Sequence, residues 1–451
     1  MKKTLFTIAT LTGLAFASLS NAQDAAATKT DDFKPSGNVY GYVFGDYYMK
    51  SHADSLNRGG GNVQYRGGIP QNANAFQMRR AYLGYDFNIS KQFSTTVLLA
   101  DEAGPNNFAG QPASTPLLIA NNTGTNVDGT GSNSMYLKYA FLKWKNIFKN
   151  SDLIVGQYST ASFATANGTE PLWGYRSIER TIMDMHNNDA SSDLGFSLQG
   201  AAWTQRNAKD SLKPTFIGYI AQVGNGNSAK PETDKFKKVR FNLYVSTMQQ
   251  KLVVGAYGDY NHIKLNDGNR VNQEQATSTM KLYANFKTEW FKIGAEIFQQ
   301  TNKNGDIISK NADGAKDTAN GVQQGVSLFL SGRIINHKLN YFARIDMYNP
   351  DANYKSANTY SATATNPTGG NLTYTTFYKQ TFYTLGFDYT PTSRVHIMPN
   401  IWYNKYTAMM GSVGGKTLSA NQKSGYDLVP RITCYFLFNS SKTVSNNGMD
   451  N

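Results

Sequence analysis

Short segments in which apolar and polar residues alternate run through most of this chain, and long and short connections separate them in turn. Such alternation is typical of a β-strand whose two faces meet different surroundings. Most segments have roughly 9–13 residues, and a tilted strand needs about 9–11 to cross a bilayer. Sixteen strands are predicted, over Gly37–Met49, Ala75–Asn88, Gln92–Glu102, Ser134–Lys143, Asp152–Ser159, Asp193–Trp203, Lys213–Val223, Lys237–Thr247, Lys251–Ile263, Gln275–Thr288, Phe291–Thr301, Gln323–Arg333, Lys338–Tyr348, Thr375–Tyr389, Val395–Tyr406 and Asp427–Phe438.

The connections between these segments predict where each strand ends. Long connections such as Lys50–Asn74 and Asn302–Val322 alternate with short ones such as Ile89–Lys91 and Glu289–Trp290. An even number of strands with every long loop on one side is the pattern of an outer-membrane barrel. Some soluble sandwiches also place their long loops at one end. The sequence predicts an all-β fold, a 16-stranded antiparallel transmembrane β-barrel with long extracellular loops and short periplasmic turns.

The two faces of the predicted strands differ in a way that suits a membrane. In Lys237–Thr247 the apolar residues Val239, Phe241 and Val245 alternate with polar ones such as Arg240. A barrel of about 16 strands is wide enough for an aqueous lumen. The polar face is therefore predicted to point inward, and closure of the sheet removes the edge that hydrocarbon does not tolerate.

Composition and the two ends complete this domain prediction. A basic, then apolar, then small-residue start predicts a signal peptide over 1–22, followed by a periplasmic lead-in over 23–36, the barrel over 37–438 and a polar tail over 439–451. The chain has 28 Tyr, 25 Phe and 40 Gly, with only 17% charged residues, which is typical of many strands and turns. The rest of the chain contains no apolar run of about 18 residues, so no membrane-spanning helix is predicted.

The connection Thr160–Ser192 is the candidate functional segment. At about 33 residues it is far longer than a hairpin loop, and such loops are usually functional or disordered. Its apolar residues, such as Trp173 and Ile182, need burial, so we expect it to fold into the lumen as a constriction. An ordinary loop that caps the rim is the alternative. The candidate constriction residues in it are Arg176, Glu179, Arg180 and Asp184.

Basic residues on the predicted inner face suggest how the lumen treats charge. Adjacent strand residues point to opposite faces, so Arg80 is predicted to line the constriction, with Arg79 near the outer rim. The predicted inner wall also carries Lys138, Lys238, Arg240, Lys281, Arg333, Arg344 and Arg431. With a formal net charge of +13, these residues predict a weak preference for anions. Alternatively, they pair with acidic residues across the lumen and keep it hydrated.

Other residue types carry less functional information. Cys434 is the only cysteine, so no internal disulfide or cysteine-based metal site is predicted. The five histidines lack metal-ligand spacing and no catalytic motif is found, so neither an enzyme nor a cofactor is predicted. Aromatic girdles at the two membrane interfaces are expected from Tyr47, Tyr48, Tyr348, Tyr389, Tyr406, Phe438, Trp144, Trp290 and Trp402.

Several motifs together resemble a known family. They are Phe76-Gln-Met-Arg-Arg-Ala-Tyr-Leu-Gly84, Gly156-Gln-Tyr158, Ile178-Glu-Arg-Thr181 and Asp193-Leu-Gly195. The mature chain resembles bacterial outer-membrane porins of the phosphate-selective O and P type. The resemblance implies a 16-stranded fold, a homotrimer, an inward third loop and phosphate selection by stacked arginines and lysines. The terminal polar tail departs from that family, and only scattered basic positions match such a ladder.

The sequence as a whole therefore predicts a porin in the bacterial outer membrane. Its function would be passive diffusion of small hydrophilic solutes, with a weak preference for anions that could include phosphate. The expected partners are those solutes, outer-membrane lipid and further copies of the chain, but not nucleic acid. The alternative is a barrel with a closed lumen whose extracellular loops bind a ligand or a partner.

Overall fold

The architecture comes from a computed structural model of the chain. It describes residues 33–56, 58, 70–101, 135–163, 180–207, 210–232, 235–263, 274–310, 316–336, 338–354, 378–409, 412–413 and 416–440. The candidate residues Arg176 and Glu179, the predicted signal peptide and the predicted tail after Ser440 lie outside these ranges. The described residues from Ser36 onward form one compact unit.

Sixteen antiparallel strands close into one barrel, which confirms the predicted fold class. Fifteen of them follow chain order, and the ring closes where β18 pairs with both β1 and β15. Two further strands of two residues each, β16 and β17, form a separate small ladder. The strands are β1 Ser36–Met49, β2 Asn74–Asn88, β3 Phe93–Asp101, β4 Tyr136–Phe148, β5 Ser151–Ser159, β6 Ser192–Asn207, β7 Asp210–Gly224, β8 Lys238–Thr247, β9 Leu252–Ile263, β10 Gln275–Lys287, β11 Phe291–Lys310, β12 Lys316–Ile335, β13 Leu339–Asn349, β14 Tyr378–Thr392, β15 Val395–Ala408, β16 Ser412–Val413, β17 Lys416–Thr417 and β18 Ser424–Asn439.

One long connection is shorter than the sequence predicts. We expected a loop over Asn302–Val322, but β11 continues to Lys310 and β12 begins at Lys316, with 20 residues in each strand. Twenty residues are about twice the number that crosses a bilayer. The excess lies at the long-loop end, because β11 starts at the short turn that follows β10. The prediction of a loop was wrong because this segment is polar, and strands that extend beyond the bilayer into water do not need an apolar face.

The strand faces follow the predicted alternation. In β8 the side chains of Val239, Phe241, Leu243 and Val245 are exposed on the outside, whereas those of Lys238 and Arg240 are buried. Exposed apolar side chains recur around the barrel, for example Leu282 on β10 and Leu385 on β14. The outer face is therefore compatible with hydrocarbon and the inner face is polar.

The predicted aromatic girdle is correct for some positions and wrong for others. Tyr47, Tyr389 and Phe438 are exposed on the outer face as expected, and Trp290 is exposed in the turn between β10 and β11. The prediction is wrong for Tyr48, Tyr348, Tyr406 and Trp402, which are 0%, 7%, 0% and 0% exposed and point into the barrel. On its strand, each of these four residues lies on the same face as the buried polar residues, which is the inner face. Proximity to a strand end alone therefore does not identify an interfacial aromatic residue.

A β-bulge in β2 overturns the prediction for Arg79. In the ladder with β1, Phe44 pairs with Arg80 and Gly45 pairs with Met78, so Arg79 is an extra residue. A bulge shifts the alternation by one position. Arg79 and Arg80 are therefore both buried on the inner face, and Arg79 does not lie near the outer rim.

Several aromatic rings on the inner wall lie across glycines of a neighbouring strand. A Cβ atom at Gly218 would meet the ring of Tyr244, and one at Gly255 would meet that of Tyr283. The absence of a side chain at these glycines lets each ring lie close to the sheet. The inner wall is therefore locally two layers thick.

Two short helices are found in the described loops, Ile182–Met185 and Ala420–Lys423. No helix in the described ranges is both long and apolar enough to span a membrane.

Candidate functional site in the barrel lumen

The long connection between β5 and β6 enters the barrel. Its described parts are residues 160–163 and 180–191, and the second part contains the helix Ile182–Met185. Thr181 caps this helix, since its hydroxyl accepts a hydrogen bond from the Asp184 amide at 3.2 Å. We call residues 160–191 the inward loop. Its described course supports the inward fold over the alternative of a loop that caps the rim.

Apolar contacts hold the inward loop on two parts of the wall. Ile182 and Met183 are fully buried in one cluster, and Met185 is buried in another. The first cluster also contains Ala161, Phe163, Ile220, Tyr244, Val253, Tyr257, Tyr283, Phe298 and Tyr348. The second contains Tyr48, Phe382, Trp402 and Val429. Burial of three large apolar side chains stabilises the docked loop by about 1.5–3 kcal/mol each.

Asp189 is the polar anchor of the inward loop. Its carboxylate accepts hydrogen bonds from Lys238 Nζ at 2.9 Å, Arg240 Nη2 at 2.9 Å and Ser162 Oγ at 2.6 Å. Burial alone would raise the pKa of Asp189, but Arg240 and Lys238 outweigh it and lower this pKa well below its ordinary value. The sequence singled out Lys238 and Arg240 but not Asp189, which lies in a loop without strand parity.

Further hydrogen bonds tie the inward loop to β11, β12 and β13. The Asn188 side chain donates to Gln300 Oε1 at 3.0 Å and also to Gln323. Arg344 Nη1 donates to the Arg180 carbonyl at 2.9 Å, while its Nη2 pairs with Asp346 at 2.6 Å. These buried contacts fix the described parts of the loop to the inner wall.

The candidate residues Arg180 and Asp184 lie next to each other on the inward loop. Arg180 Nε is 3.8 Å from Asp184 Oδ2, and both side chains are about one-fifth exposed. They are therefore an i,i+4 pair that reaches the lumen.

Several predicted pore-lining cations are paired with carboxylates. Lys238 is 3.2 Å from Asp259, Arg240 Nη1 is 2.6 Å from Asp193, and Lys281 is 3.2 Å from Glu296. Arg333 is partly buried near a short turn, and its Nη1 is 3.5 Å from Asn336 Oδ1. For Lys238, Arg240, Lys281 and Arg344 the geometry favours the paired alternative.

A second group of cations lies on β2, β4 and β18. We call Arg79, Arg80, Lys138 and Arg431 the basic wall; all four are buried on the inner face. Asp46 Oδ2 accepts hydrogen bonds from Arg431 Nη1 at 2.9 Å and from Arg79 Nη1 at 3.2 Å. One carboxylate thus contacts two guanidinium groups of the basic wall.

The aromatic partners of the basic wall fix its geometry. The Arg431 guanidinium lies 3.4 Å from the Trp402 ring centroid, and the Arg79 guanidinium lies 4.9 Å from it. Arg80 Nη1 donates to the Tyr82 hydroxyl at 2.7 Å, and Lys138 Nζ lies 5.5 Å from the Tyr82 ring centroid. Planar guanidinium groups stack well on aromatic faces.

The sequence reasoning missed Trp402 and Asp46 as members of this group. Trp402 shares the parity of Asn400 and Asn404, both of which are buried on the inner face. The position of Trp402 on the same face as these two asparagines could therefore have predicted that its side chain points inward. For Arg79 no such signal existed, because nothing in the chain locates the bulge.

A third cluster joins two described extracellular segments. Arg58 pairs with Asp54 at 2.8 Å and donates to the carbonyls of Asn421 and Gln422 at 3.0 Å each. Lys50 pairs with Asp427 at 2.9 Å. We call Lys50, Asp54, Arg58 and Asp427 the extracellular clamp. It ties residues 50–58 to the end of the helix Ala420–Lys423.

The closed barrel, its apolar outer face and the inward loop define a class of protein. That class is the bacterial outer-membrane β-barrel with an occupied lumen, and the bacterial outer membrane is its location.

Solved structures with a similar fold come from this class. The outer-membrane channel DcaP of Acinetobacter baumannii has a TM-score of 0.53 at 13% identity, over 91% of this chain and 100% of that chain. OprB of Pseudomonas putida has a TM-score of 0.50 at 10% identity, over 90% and 94%. An anion-selective porin from Comamonas acidovorans has a TM-score of 0.49 at 10% identity, over 90% and 100%.

Sequence comparisons add no assignment. No protein-family model matches the chain, and no curated protein matches it. The fold is therefore established as that of outer-membrane porins, while membership of the phosphate-selective O and P type stays a prediction.

Proposed function

We propose that this protein is a porin through which small hydrophilic solutes diffuse passively across the outer membrane, with a weak preference for anions. The observation that carries the proposal is the basic wall, where Asp46 is shared by Arg79 and Arg431 and where Arg80 and Lys138 add two further charges. Charged side chains around a wide pore select ions by charge.

The position of the inward loop supports this proposal. The loop is anchored to β8 and β11–β13 through Asp189, Asn188 and Arg180. A solute path would then run beside the loop and past the basic wall. Low-dielectric walls focus the field of charged side chains, and a wall rich in cations raises the local anion concentration.

Arg431 and Lys138 have different roles in this proposal. Arg431 uses Nε and Nη2 on Asn400 Oδ1 and Nη1 on Asp46, so it acts as a fixed charge. Lys138 is a compact cation on a flexible stem, and its ammonium lies 5.5 Å from the Tyr82 ring centroid without the bidentate contacts that fix Arg431. Phosphate is the candidate solute implied by the sequence resemblance, and a homotrimer is the assembly it implies.

The reversal potential in a planar bilayer under a salt gradient tests the anion preference. We expect the reversal potential of the native protein to show that anions are more permeant than cations. This preference for anions should be clearly smaller in Lys138→Ala and in Arg80→Ala. Lys303→Ala is the matched control, because Lys303 is an exposed extracellular residue whose Nζ is 3.4 Å from Glu274. Equal reversal potentials for all four proteins would contradict the proposal.

Phosphate competition and oligomer mass refine the same proposal. If phosphate is a preferred solute, micromolar to millimolar phosphate should reduce chloride current through the native pore more than through Lys138→Ala. Light scattering of the detergent-solubilised protein should give the mass of three chains. An unchanged chloride current, or a monomer mass, would remove phosphate preference or the trimer from the proposal.

A closed barrel that binds a ligand through its loops is the second candidate. The observation in its favour is the low exposure of the described inner-wall residues, including Arg80 at 4% and Arg431 at 3%. A narrow or filled lumen would produce such values. A folded barrel that reconstitutes without conductance and without uptake of small sugars in liposome swelling would select this candidate.

A further inference from the structure

Five tyrosines form a patch on the inner wall, on the periplasmic side of the basic wall. They are Tyr40 and Tyr42 on β1, Tyr82 on β2, and Tyr136 and Tyr139 on β4, and we call them the tyrosine wall. Tyr42 and Tyr82 are buried, whereas Tyr40, Tyr136 and Tyr139 are partly exposed. All five belong to one cluster of packed side chains. The patch therefore has a buried layer and a layer that is in contact with the lumen.

Strand register places the five rings in two adjacent rows on the inner face. One row contains Tyr42, Tyr82 and Tyr136, and the other contains Tyr40 and Tyr139. The positions between them are filled by residues without rings, which are Gly84, Leu98 and Ala100. Four strands are joined by three steps of about 4.8 Å, so the patch is about 14 Å wide. This width is comparable to that of a disaccharide.

Ring contacts show which part of each tyrosine is presented to the lumen. The Tyr42 and Tyr82 rings stack with their centroids 4.3 Å apart and an angle of 27° between their planes. A Cβ atom at Gly84 would meet the Tyr40 ring, so this ring lies against the sheet. A ring in that position turns a face toward the lumen, and the face of an aromatic ring carries partial negative charge.

Polar groups border the tyrosine wall on two sides. On the extracellular side, Arg80 Nη1 donates to the Tyr82 hydroxyl at 2.7 Å, and Lys138 Nζ lies 5.5 Å from the Tyr82 ring centroid. On the periplasmic side, Asp86 is exposed, and its carboxylate accepts a hydrogen bond from Thr96 Oγ1 at 2.7 Å. Aromatic side chains with a few placed polar groups are the usual lining of a small-molecule site.

We propose that the tyrosine wall binds sugar rings, so that carbohydrates are among the solutes of the proposed porin. The C–H groups on the face of a sugar ring are slightly positive and pack against the negative faces of the tyrosines. Hydroxyl groups at the edge of the sugar hydrogen-bond to Arg80 and Asp86. The Tyr139 hydroxyl donates to the Ser191 carbonyl at 3.4 Å, so a bound sugar lies beside the inward loop. This inference rests on the proposed function in that the solute must enter the lumen.

Other classes of ligand use less of this surface. An alkyl chain would take Arg80 and Asp86 out of water without offering them a hydrogen bond, which is unfavourable. An inorganic anion would contact Arg80 and Lys138 but would leave the tyrosine faces unused. A sugar has both apolar ring faces and many hydroxyl groups, and it therefore matches the rings and the polar groups that border them.

Saturation-transfer NMR on the full-length barrel in detergent tests this proposal, because it measures binding without transport. Glucose is the probe. Sorbitol is the comparator, because it carries its hydroxyl groups on an open chain and has no ring face. We expect the native protein to bind glucose several-fold more tightly than sorbitol. Equal binding of the two compounds would overturn the proposal.

Replacement of single rings separates stacking from packing. Tyr40→Leu and Tyr136→Leu keep an apolar side chain but remove the aromatic face, and each should weaken glucose binding by about three- to tenfold. Tyr40→Phe and Tyr136→Phe keep the face and should retain most of the binding. Phe329→Leu is the matched control, because Phe329 is a partly buried inner-face ring on β12, outside the tyrosine wall.

Heat-modifiable gel migration shows which variants are folded, and the two tyrosines provide independent tests if one leucine variant does not fold. Leucine variants that bind glucose as tightly as Phe329→Leu would show that the rings only pack the wall, and the proposal would fail.

Liposome swelling with glucose keeps this proposal distinct from the proposed function. Saturable glucose binding without swelling would support the sugar site and contradict passive diffusion. Swelling without saturable binding, equal in the native protein and the leucine variants, would support the porin and overturn the sugar site.

Discussion

Asp189 shows how much of the lumen depends on a single carboxylate. It contacts two cations of β8 and the hydroxyl groups of Ser162 and Tyr257. A buried ion pair contributes little net stability over an apolar substitute, but removing one partner costs about 3–5 kcal/mol. The contact therefore sets where the inward loop lies more than how stable the barrel is.

Asp189→Asn should loosen the inward loop without unfolding the barrel. Lys238 and Arg240 would lose a shared negative partner, and the inward loop would keep its apolar contacts and the hydrogen bonds of Asn188 and Arg180. We expect larger current fluctuations in single-channel recordings and faster cleavage within residues 160–191 by an added protease.

The exposed pair Lys237–Glu232 provides the control for this variant. Its atoms are 2.7 Å apart, but its side chains are 44% and 26% exposed. Such pairs contribute about 0–1 kcal/mol. Glu232→Gln should therefore leave channel noise and cleavage unchanged. If Asp189→Asn behaves like Glu232→Gln, the loop does not depend on Asp189 and is held by its apolar contacts and the hydrogen bonds of Asn188 and Arg180.

At the scale of the element, the bulge in β2 explains both a success and a failure of the sequence reading. Arg80, Tyr82 and Leu83 face the sides that alternation predicts, because alternation is regular beyond the bulge. Arg79 does not, because one extra residue opposes the β1 strand at Phe44–Gly45. Bulge positions depend on contacts between strands, which a single sequence does not reveal.

Deletion of Arg79 should be tolerated, whereas a deletion in a regular strand should not. Without Arg79, β2 would alternate regularly, and Gln77 and Arg80 would both still face inward. Deletion of Phe241 from β8 would turn half of that strand to the wrong face. We expect heat-modifiable gel migration, the mark of a folded barrel, for the first variant only.

The charge removed with Arg79 gives this variant a second readout. Asp46 would keep Arg431 as its described cationic partner, so the basic wall would lose one positive charge. The anion bias of the reversal potential should therefore fall. A folded deletion variant with an unchanged bias would exclude Arg79 from charge selection.

The extracellular clamp should respond to acid. Burial alone would raise the pKa of Asp54, but the side-chain and backbone hydrogen bonds of Arg58 lower it below its ordinary value of 3.8. A carboxyl group with a lowered pKa stabilises the folded state above its ordinary pKa. That contribution is lost as the pH falls through the lowered value.

Pepsin, which is active in acid, measures this response. We expect cleavage near residues 50–58 to be slow at pH 4 and to rise steeply as the pH falls toward 2. In Asp54→Asn the clamp is already weakened because Arg58 is buried without its carboxylate partner, so cleavage should be fast at both pH values. A pH-independent cleavage rate in the native protein would contradict the assignment.

For the whole molecule, the two faces of the sheet make opposite demands on charge. Lys281 and Leu282 are neighbours on β10, yet the lysine is buried on the inner face and the leucine is exposed on the outer one. The lumen therefore tolerates ionised groups that the outer face does not, which is the expected division for a barrel in lipid.

Leu282→Arg should destabilise the barrel by about 2–4 kcal/mol if it lies near the bilayer midplane. Ser278→Arg, on the same face nearer the extracellular end, should have little effect because the headgroup region accepts charge. Unfolding in urea of the protein in lipid vesicles measures both. Equal losses would mean that this face does not contact hydrocarbon.

A feature could be predicted from the sequence when it depends on residues that are close along the chain, and not when it depends on distant ones. Strand number, closure and the faces of Arg240 and Lys281 follow from alternation, which is local. The partners of these residues, Asp189 and Glu296, depend on contacts between distant segments. Alternation also fails to reveal that β11 and β12 continue past the membrane, because no bilayer constrains them there.

The rings that lie across inner-wall glycines have a consequence for how such a chain can diverge. A methyl group at Gly255 would collide with the Tyr283 ring, and one at Gly218 with the Tyr244 ring. A lineage that gains a side chain at either glycine must move or shrink the facing ring, and one that loses the ring gains room for a side chain. Related sequences should therefore vary at positions 218 and 244 together, and at 255 and 283 together. Such paired variation would record strand neighbours even where identity has fallen too low to align the loops.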